Sequence, residues 1–154
     1  MIQRIQTVYL FIAAVLSAVC LAVPVGMLVP EGMGVTSKIY SLFIVTADSE
    51  HAYDFGVCGM FIALAAATVL SIVTIFLYMN RRTQARMCSL AVVLQLVWYV
   101  LYVLNAYTAG SDYNAVFVVK FAAALPAVAL ILNLLARRAI LKDEALVRAA
   151  DRIR

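Results

Sequence analysis

Ala115 to Arg154 reads AVFVVKFAAALPAVALILNLLARRAILKDEALVRAADRIR, and its two halves differ in kind. From Ala115 to Ala136 the run is apolar, with Lys120 near its start and Pro126 near its middle. At Arg137-Arg138 the composition turns, and the remainder is charged but contains no glycine or proline to stop a helix. This is the pattern of a membrane helix that leaves the bilayer and carries on as a polar helix. Pro126 is expected to kink it without breaking it.

Three more stretches have the same apolar character: Thr7 to Val29, Val57 to Met79 and Met87 to Tyr107. About 20 apolar residues cross roughly 30 Å of hydrocarbon. A chain of 154 residues that is 66% hydrophobic and 13% charged lies outside the soluble range. An open sheet cannot span, because its edges would leave backbone groups unpaired in lipid. The expected fold is an all-α membrane protein, an antiparallel bundle of four transmembrane helices. Residues 1–136 form the membrane domain, with spans at about 7–29, 57–79, 87–107 and 115–136. Residues 30–56 form an external loop, and residues 137–154 a basic cytoplasmic helix continuing from the fourth span.

The charges are sorted by side. Arg4, Arg81, Arg82, Arg86, Arg137, Arg138, Lys142, Arg148, Arg152 and Arg154 fall in the even-sided segments. The other side holds only Lys38 and Lys120, against Glu31, Asp48, Glu50, Asp54 and Asp112. The positive-inside rule then places both termini and the Asn80–Arg86 loop in the cytoplasm. The net charge of +4 reports this topology and is no sign of nucleic-acid binding. The opening, Met1-Ile-Gln-Arg before a long apolar run, reads as an uncleaved signal anchor. Ser17-Ala18-Val19-Cys20 is a poor lipoprotein box, with valine before a cysteine in mid-run, and lipidation there is rejected.

Small residues recur every fourth position at Ala14, Ala18, Ala22 and Gly26, and again at Gly59, Ala63, Ala67 and Ser71. Such strips let two membrane helices approach closely, so the first and second helices are expected to pack on each other, with homodimerisation as the competing use. Pro24 and Pro30 imply a kink and then a stop. In the external loop, Ile39 to Val45 is aromatic and β-branched, suited to a strand or short hairpin. Asp48, Glu50, His51 and Asp54 follow it, too scattered a set to assign a metal.

Gln95, Trp98, Tyr99, Tyr102 and Asn105 fall at helical spacing on the third helix. The bland role of this stripe is interhelical hydrogen bonding and aromatic packing. Its functional role would be lining a path for a small polar or amphipathic ligand. Asn133, on the fourth helix, is a second buried polar group. The spans put it at a different depth from Gln95, which argues against direct pairing. Lys120 lies roughly 7 Å inside the fourth span and is expected to snorkel outward, with Asp112 or Asp54 as counter-ion. In the tail, Glu144 stands four before Arg148, and Arg137, Arg138, Lys142, Arg148 and Arg152 are candidates for contact with lipid headgroups or a partner protein.

No catalytic constellation is present in the sequence. Cys20, Cys58 and Cys88 share no CxxC spacing, and Cys20 lies roughly 13 Å deeper than Cys58, too far for a disulfide. His51 is the only histidine, which leaves bis-histidine haem without ligands. No enzyme activity, cofactor or metal is therefore expected.

The segments MIQRIQTVYL, YMNRRTQARMC and LPAVALILNLLARRAILKDEALVRAADRIR resemble four-helix membrane proteins of Bacteroidetes-type bacteria, a family of unknown function. The resemblance implies an integral inner-membrane protein and brings no activity or catalytic residues with it. The leading reading is a non-enzymatic accessory or scaffold subunit that docks a membrane or cytoplasmic partner through its C-terminal helix. The alternative is an oligomeric carrier or binder of a small solute or lipid, using the stripe on the third helix. Membrane lipids are expected partners of either, and homo-oligomers are open to both.

Overall fold

A run such as AVFVV is β-branched and aromatic, and an apolar window cannot tell whether it is a strand or part of a membrane helix. The computed structural model, which describes residues 3–30, 36–45, 53–77, 80–112 and 115–151, resolves that ambiguity. The chain is mostly helical: α1 covers Gln3–Ala22, α2 Cys58–Phe76, α3 Arg81–Asp112 and α4 Leu125–Asp151. All four are long and apolar enough to cross a membrane, with mean hydropathy from 1.7 to 2.3 in their best windows. Each packs on two others, α1 and α3 both lying against α2 and α4.

A small sheet joins them. Its strands are β1 Gly26–Pro30, β2 Ser37–Ile39, β3 Ile44–Val45, β4 Tyr53–Asp54 and β5 Ala115–Val119. The order is β4-β3-β2-β1-β5, with every pairing antiparallel. The hairpin expected around Ile39 to Val45 is there: Ile39 faces Ile44, and Tyr40 N donates to Phe43 O at 2.9 Å across the turn. It is part of a larger sheet than the loop alone could build, because β1 and β5 come from stretches read as membrane helix.

Four sequence expectations are corrected here, each for a local reason. The first helix stops at Ala22, and residues 26–29 are strand. Pro24 offers no N–H to the preceding turn and its ring clashes with that turn's carbonyl, so it ends the helix instead of kinking it. The fourth helix starts at Leu125 and not at Ala115. Pro126 stands in its first turn, where a missing N–H does no harm, so it marks the start of the helix and makes no kink in its middle. A 3₁₀ turn, Phe121–Ala124, leads into it. The Asn80–Arg86 segment is not a loop: Gln84 N donates to Asn80 O at 2.9 Å, and α3 begins at Arg81. The small-residue strips make only part of the expected contact. Ala14, Ala63, Ala67 and Ser71 are buried, but Ala18 and Ala22 are exposed and Gly26 belongs to β1.

Gly26 has a different reason to be glycine. Phe117 of β5 lies over it, and a Cβ added there would come 2.6 Å from Phe117 Cζ. In a strand, glycine often marks such a close approach. We expect Gly26→Ala to destabilise the fold by about 1–3 kcal/mol, the usual cost of overpacking. Pairing it with Phe117→Leu should recover part of that loss in detergent unfolding. Simple addition of the two losses would mean that Phe117 does not set the requirement.

Candidate functional site: a buried polar centre and an aromatic clasp

Polar side chains are rare in an apolar interior, and those present must find partners there. Each long helix contributes one to a common centre: Ser17 from α1, Ser71 from α2, Gln95 from α3 and Asn133 from α4, all at 0–1% exposure. Asn133 Nδ2 donates to Gln95 Oε1 at 3.3 Å, and Gln95 Nε2 donates to Ser17 Oγ at 3.4 Å. Ser71 Oγ donates to Ala67 O at 2.9 Å and reaches Asn133 Oδ1 at 3.5 Å.

The sequence reading kept Gln95 and Asn133 apart, and the structure brings them together. The error came from the span limits. Arg81 Nη1 donates to Asp143 O at 3.1 Å and Arg82 Nε to Glu144 Oε1 at 2.8 Å, which fixes how α3 and α4 are aligned. Counted from the second of these rungs, Gln95 is roughly 20 Å along α3 and Asn133 roughly 17 Å back along α4, within one helical turn of each other.

The rest of the stripe continues toward the sheet. Trp98 is fully buried and stacks on Tyr102, with ring centroids 5.2 Å apart and planes at 13°. Tyr99 meets Trp98 edge-on at 4.9 Å, and Phe117 meets Tyr102 edge-on at 5.6 Å. The hydroxyls are spent on backbone that the helix breaks leave open: Tyr99 Oη donates to Ala123 O at 2.7 Å, and Tyr102 Oη to Val25 O at 3.0 Å. Val25 O also accepts from Lys120 N at 3.1 Å. Asn105 Nδ2 turns back onto its own helix, to Leu101 O at 2.8 Å. The stripe therefore clasps the two places where helix gives way to sheet, after α1 and before α4. Sequence reasoning could not have found this role, because the acceptors are carbonyls exposed by breaks that the apolar windows hid.

Lys120 is corrected likewise. It is an extended residue between β5 and the 3₁₀ turn, half-buried, and not a lysine inside a membrane helix. Its proposed counter-ions have no described side chains, and Asp48, Glu50 and His51 lie outside the described residues, as does Arg152. Cys20 and Cys88 are buried free thiols, and Cys58 is exposed at the start of α2. In the tail, Arg137 is half-buried, whereas Arg138 and Lys142 are exposed. Glu144 pairs across to Arg82, a partner from another helix that the i, i+4 reading with Arg148 did not anticipate.

Removing the Tyr102 hydroxyl keeps the ring stack and deletes one bond to Val25 O. We expect Tyr102→Phe to cost about 0.5–1.5 kcal/mol and to leave Trp98 fluorescence unshifted. A Trp98 emission shift would mean the ring itself has moved, which contradicts a purely clasping hydroxyl.

Comparison with known proteins places this architecture in one family. No curated protein matches the chain. A family model described as a domain of unknown function (DUF4293) matches residues 2–153, nearly the whole chain, and the protein belongs to that family.

Proposed function

We propose that this is a multi-pass protein of the bacterial cytoplasmic membrane, both termini inside, acting as a non-enzymatic accessory or scaffold subunit. Support for insertion comes from the outer surface of the helices. Phe11, Ile62, Val69, Phe76, Val103 and Ile131 are all more than half exposed, an apolar skin that water would disfavour and lipid would not. Support for orientation comes from the ends. Arg81, Arg82, Arg86, Arg137, Arg138 and Lys142 gather where α3 starts and the last turns of α4 lie beside it, away from the sheet.

The observation that carries the docking role is the unbroken course of α4 to Asp151. Its 27 residues measure roughly 40 Å, more than the hydrocarbon thickness. Ile140 is buried with Leu10, Ala85, Cys88 and Ala136, and the Asp143 and Glu144 contacts tie the extension to α3. The extension is thus braced, with Leu141, Leu146 and Val147 left exposed among polar neighbours. A rigid helix presenting such a face fits helix-to-partner recognition.

The carrier reading keeps one observation of its own, an apolar groove of about 540 Å³ between α1 and α2, lined by Phe11, Ala18, Ile72 and Phe76 among others. The polar stripe no longer favours it, since its hydroxyls are taken up by backbone carbonyls.

A reporter fused after Arg154 should be active only as a cytoplasmic fusion, and one inserted near Ser49 only as an external fusion; the reverse pattern would overturn the orientation. Leu146→Ser with Val147→Ser should abolish co-purification of a protein partner from native membranes while leaving thermal stability unchanged. Arg148→Lys with Arg152→Lys should do the same if the partner is held by arginine's planar fork. Retention of every partner in the serine variant would remove the docking role and put the carrier reading first.

A further inference from the structure

Two arginines near the charged end have no acidic partner among the described residues, and they line the same hollow. It lies between α3 and α4, has a volume of about 210 Å³, and is walled by Arg82, Arg86, Ser89, Arg137, Leu141 and Glu144 with Ala85. Glu144 is its only acidic lining residue and is already bound to Arg82 at 2.8 Å. Arg86 and Arg137 are left to dominate the hollow electrostatically. Ser89 Oγ donates to Ala85 O at 3.0 Å, so the guanidinium groups are its donors.

Arg137 is the more deeply set of the two. Its Nε–H is sealed from solvent and has no hydrogen-bond partner. Gln6 Nε2, Ser41 Oγ and Trp98 Nε1 share that condition, so bonds to a ligand fall to the outer Nη groups of Arg137. The guanidinium plane suits two oxygens of a phosphate, which it can hold through parallel N–H bonds.

The height of the hollow narrows the source of that phosphate. Gln84 Nε2 donates to Thr74 O at 3.1 Å, so this part of α3 is level with the last turn of α2, which ends at Phe76. Arg86 and Ser89 follow within two turns. They lie on the membrane side of the level where α2 ends, within reach of phospholipid phosphates for a long arginine side chain that snorkels outward. A volume near 210 Å³ equals about seven waters at ~30 Å³ each, enough for a phosphodiester and part of its headgroup.

The geometry points to a specific site for the phosphodiester of an anionic phospholipid, held between α3 and α4 by Arg86 and Arg137. It rests on the membrane reading above and is independent of partner docking. Basic hollows between membrane helices on the cytoplasmic side are suited to such headgroups. The site differs from general attraction of the basic tail, because it assigns binding to two residues inside the hollow and none to the exposed Arg138.

The test uses the full chain in a neutral detergent, titrated with short-chain phosphatidylglycerol, the phosphatidylcholine of equal chain length, and inorganic phosphate. Bound lipid is counted by native mass spectrometry, and stability is followed through thermal unfolding. Phosphatidylglycerol should bind roughly ten-fold or more tightly than phosphatidylcholine, in line with one charge-assisted interaction. Arg86→Gln, an exposed position that should fold normally, should lose roughly that factor. Arg137→Lys, which keeps the charge and loses the fork, should also weaken binding, and Arg138→Gln should leave it unchanged. Equal losses in Arg86→Gln and Arg138→Gln would overturn the site in favour of diffuse charge. No preference between the two lipids, or binding of inorganic phosphate as tight as that of lipid, would overturn the phospholipid assignment.

Discussion

The hydrogen bonds among Ser17, Ser71, Gln95 and Asn133 are the constraint to which the rest of the structure conforms. Packing of leucine against leucine is indifferent to small slides of one helix past another. An amide that must find a partner in an apolar interior is not. With one residue of each helix in this network, sliding any of the four by a turn would leave at least one group unpaired. The Gln95–Asn133 contact also agrees with the ion pairs nearer the charged end, Arg81 with Asp143 and Arg82 with Glu144. Two kinds of polar contact, one buried and one partly solvated, thus set the same alignment of α3 and α4.

Toward the other end, the same face of α3 meets a different problem. Helices α1 and α4 stop short of it, and their flanking backbone needs acceptors and donors satisfied. Strands β1 and β5 solve most of this by pairing with each other, from Gly26 with Val119 to Pro30 with Ala115. Tyr99 and Tyr102 take up carbonyls beside them, and Trp98 fills the space between the polar centre and the sheet. The stripe that looks like a ligand path in the sequence is a strut joining helices to sheet.

Helix number, the charged end, the continuation of α4 and the β2–β3 hairpin were all legible from residue types and their spacing. The limits of the first and fourth spans were not. Hydropathy measures how apolar a window is, and Val25 to Val29 or Ala115 to Val119 is apolar whether helical or extended. The evidence for breaks was present in Pro24 and Pro126, but a proline inside an apolar run reads equally as a kink, a start or a stop. That one ambiguity moved Lys120 into a helix it does not occupy, whereas Gln95 and Asn133 were separated by the limits drawn at the charged end, Met87 and Ala136, which the Arg81–Asp143 and Arg82–Glu144 contacts show not to be level. The hollow around Arg86 and Arg137 was invisible for another reason: it needs residues from two helices, and Arg82 and Arg86 counted only as topology signals. Arg137 was named for headgroup contact, but nothing in the sequence separated it from Arg138.

If the buried polar centre sets helix alignment, the coupling between Gln95 and Asn133 is the quantity to measure. A double-mutant cycle with Gln95→Leu, Asn133→Leu and the pair, read by reversible unfolding in mixed micelles, isolates it from the cost of each change alone. The account predicts a favourable coupling of about 0.6–1.7 kcal/mol, the range expected for hydrogen bonds between membrane helices. Additivity within about 0.3 kcal/mol would contradict it, and would mean that apolar packing alone holds the four helices in register.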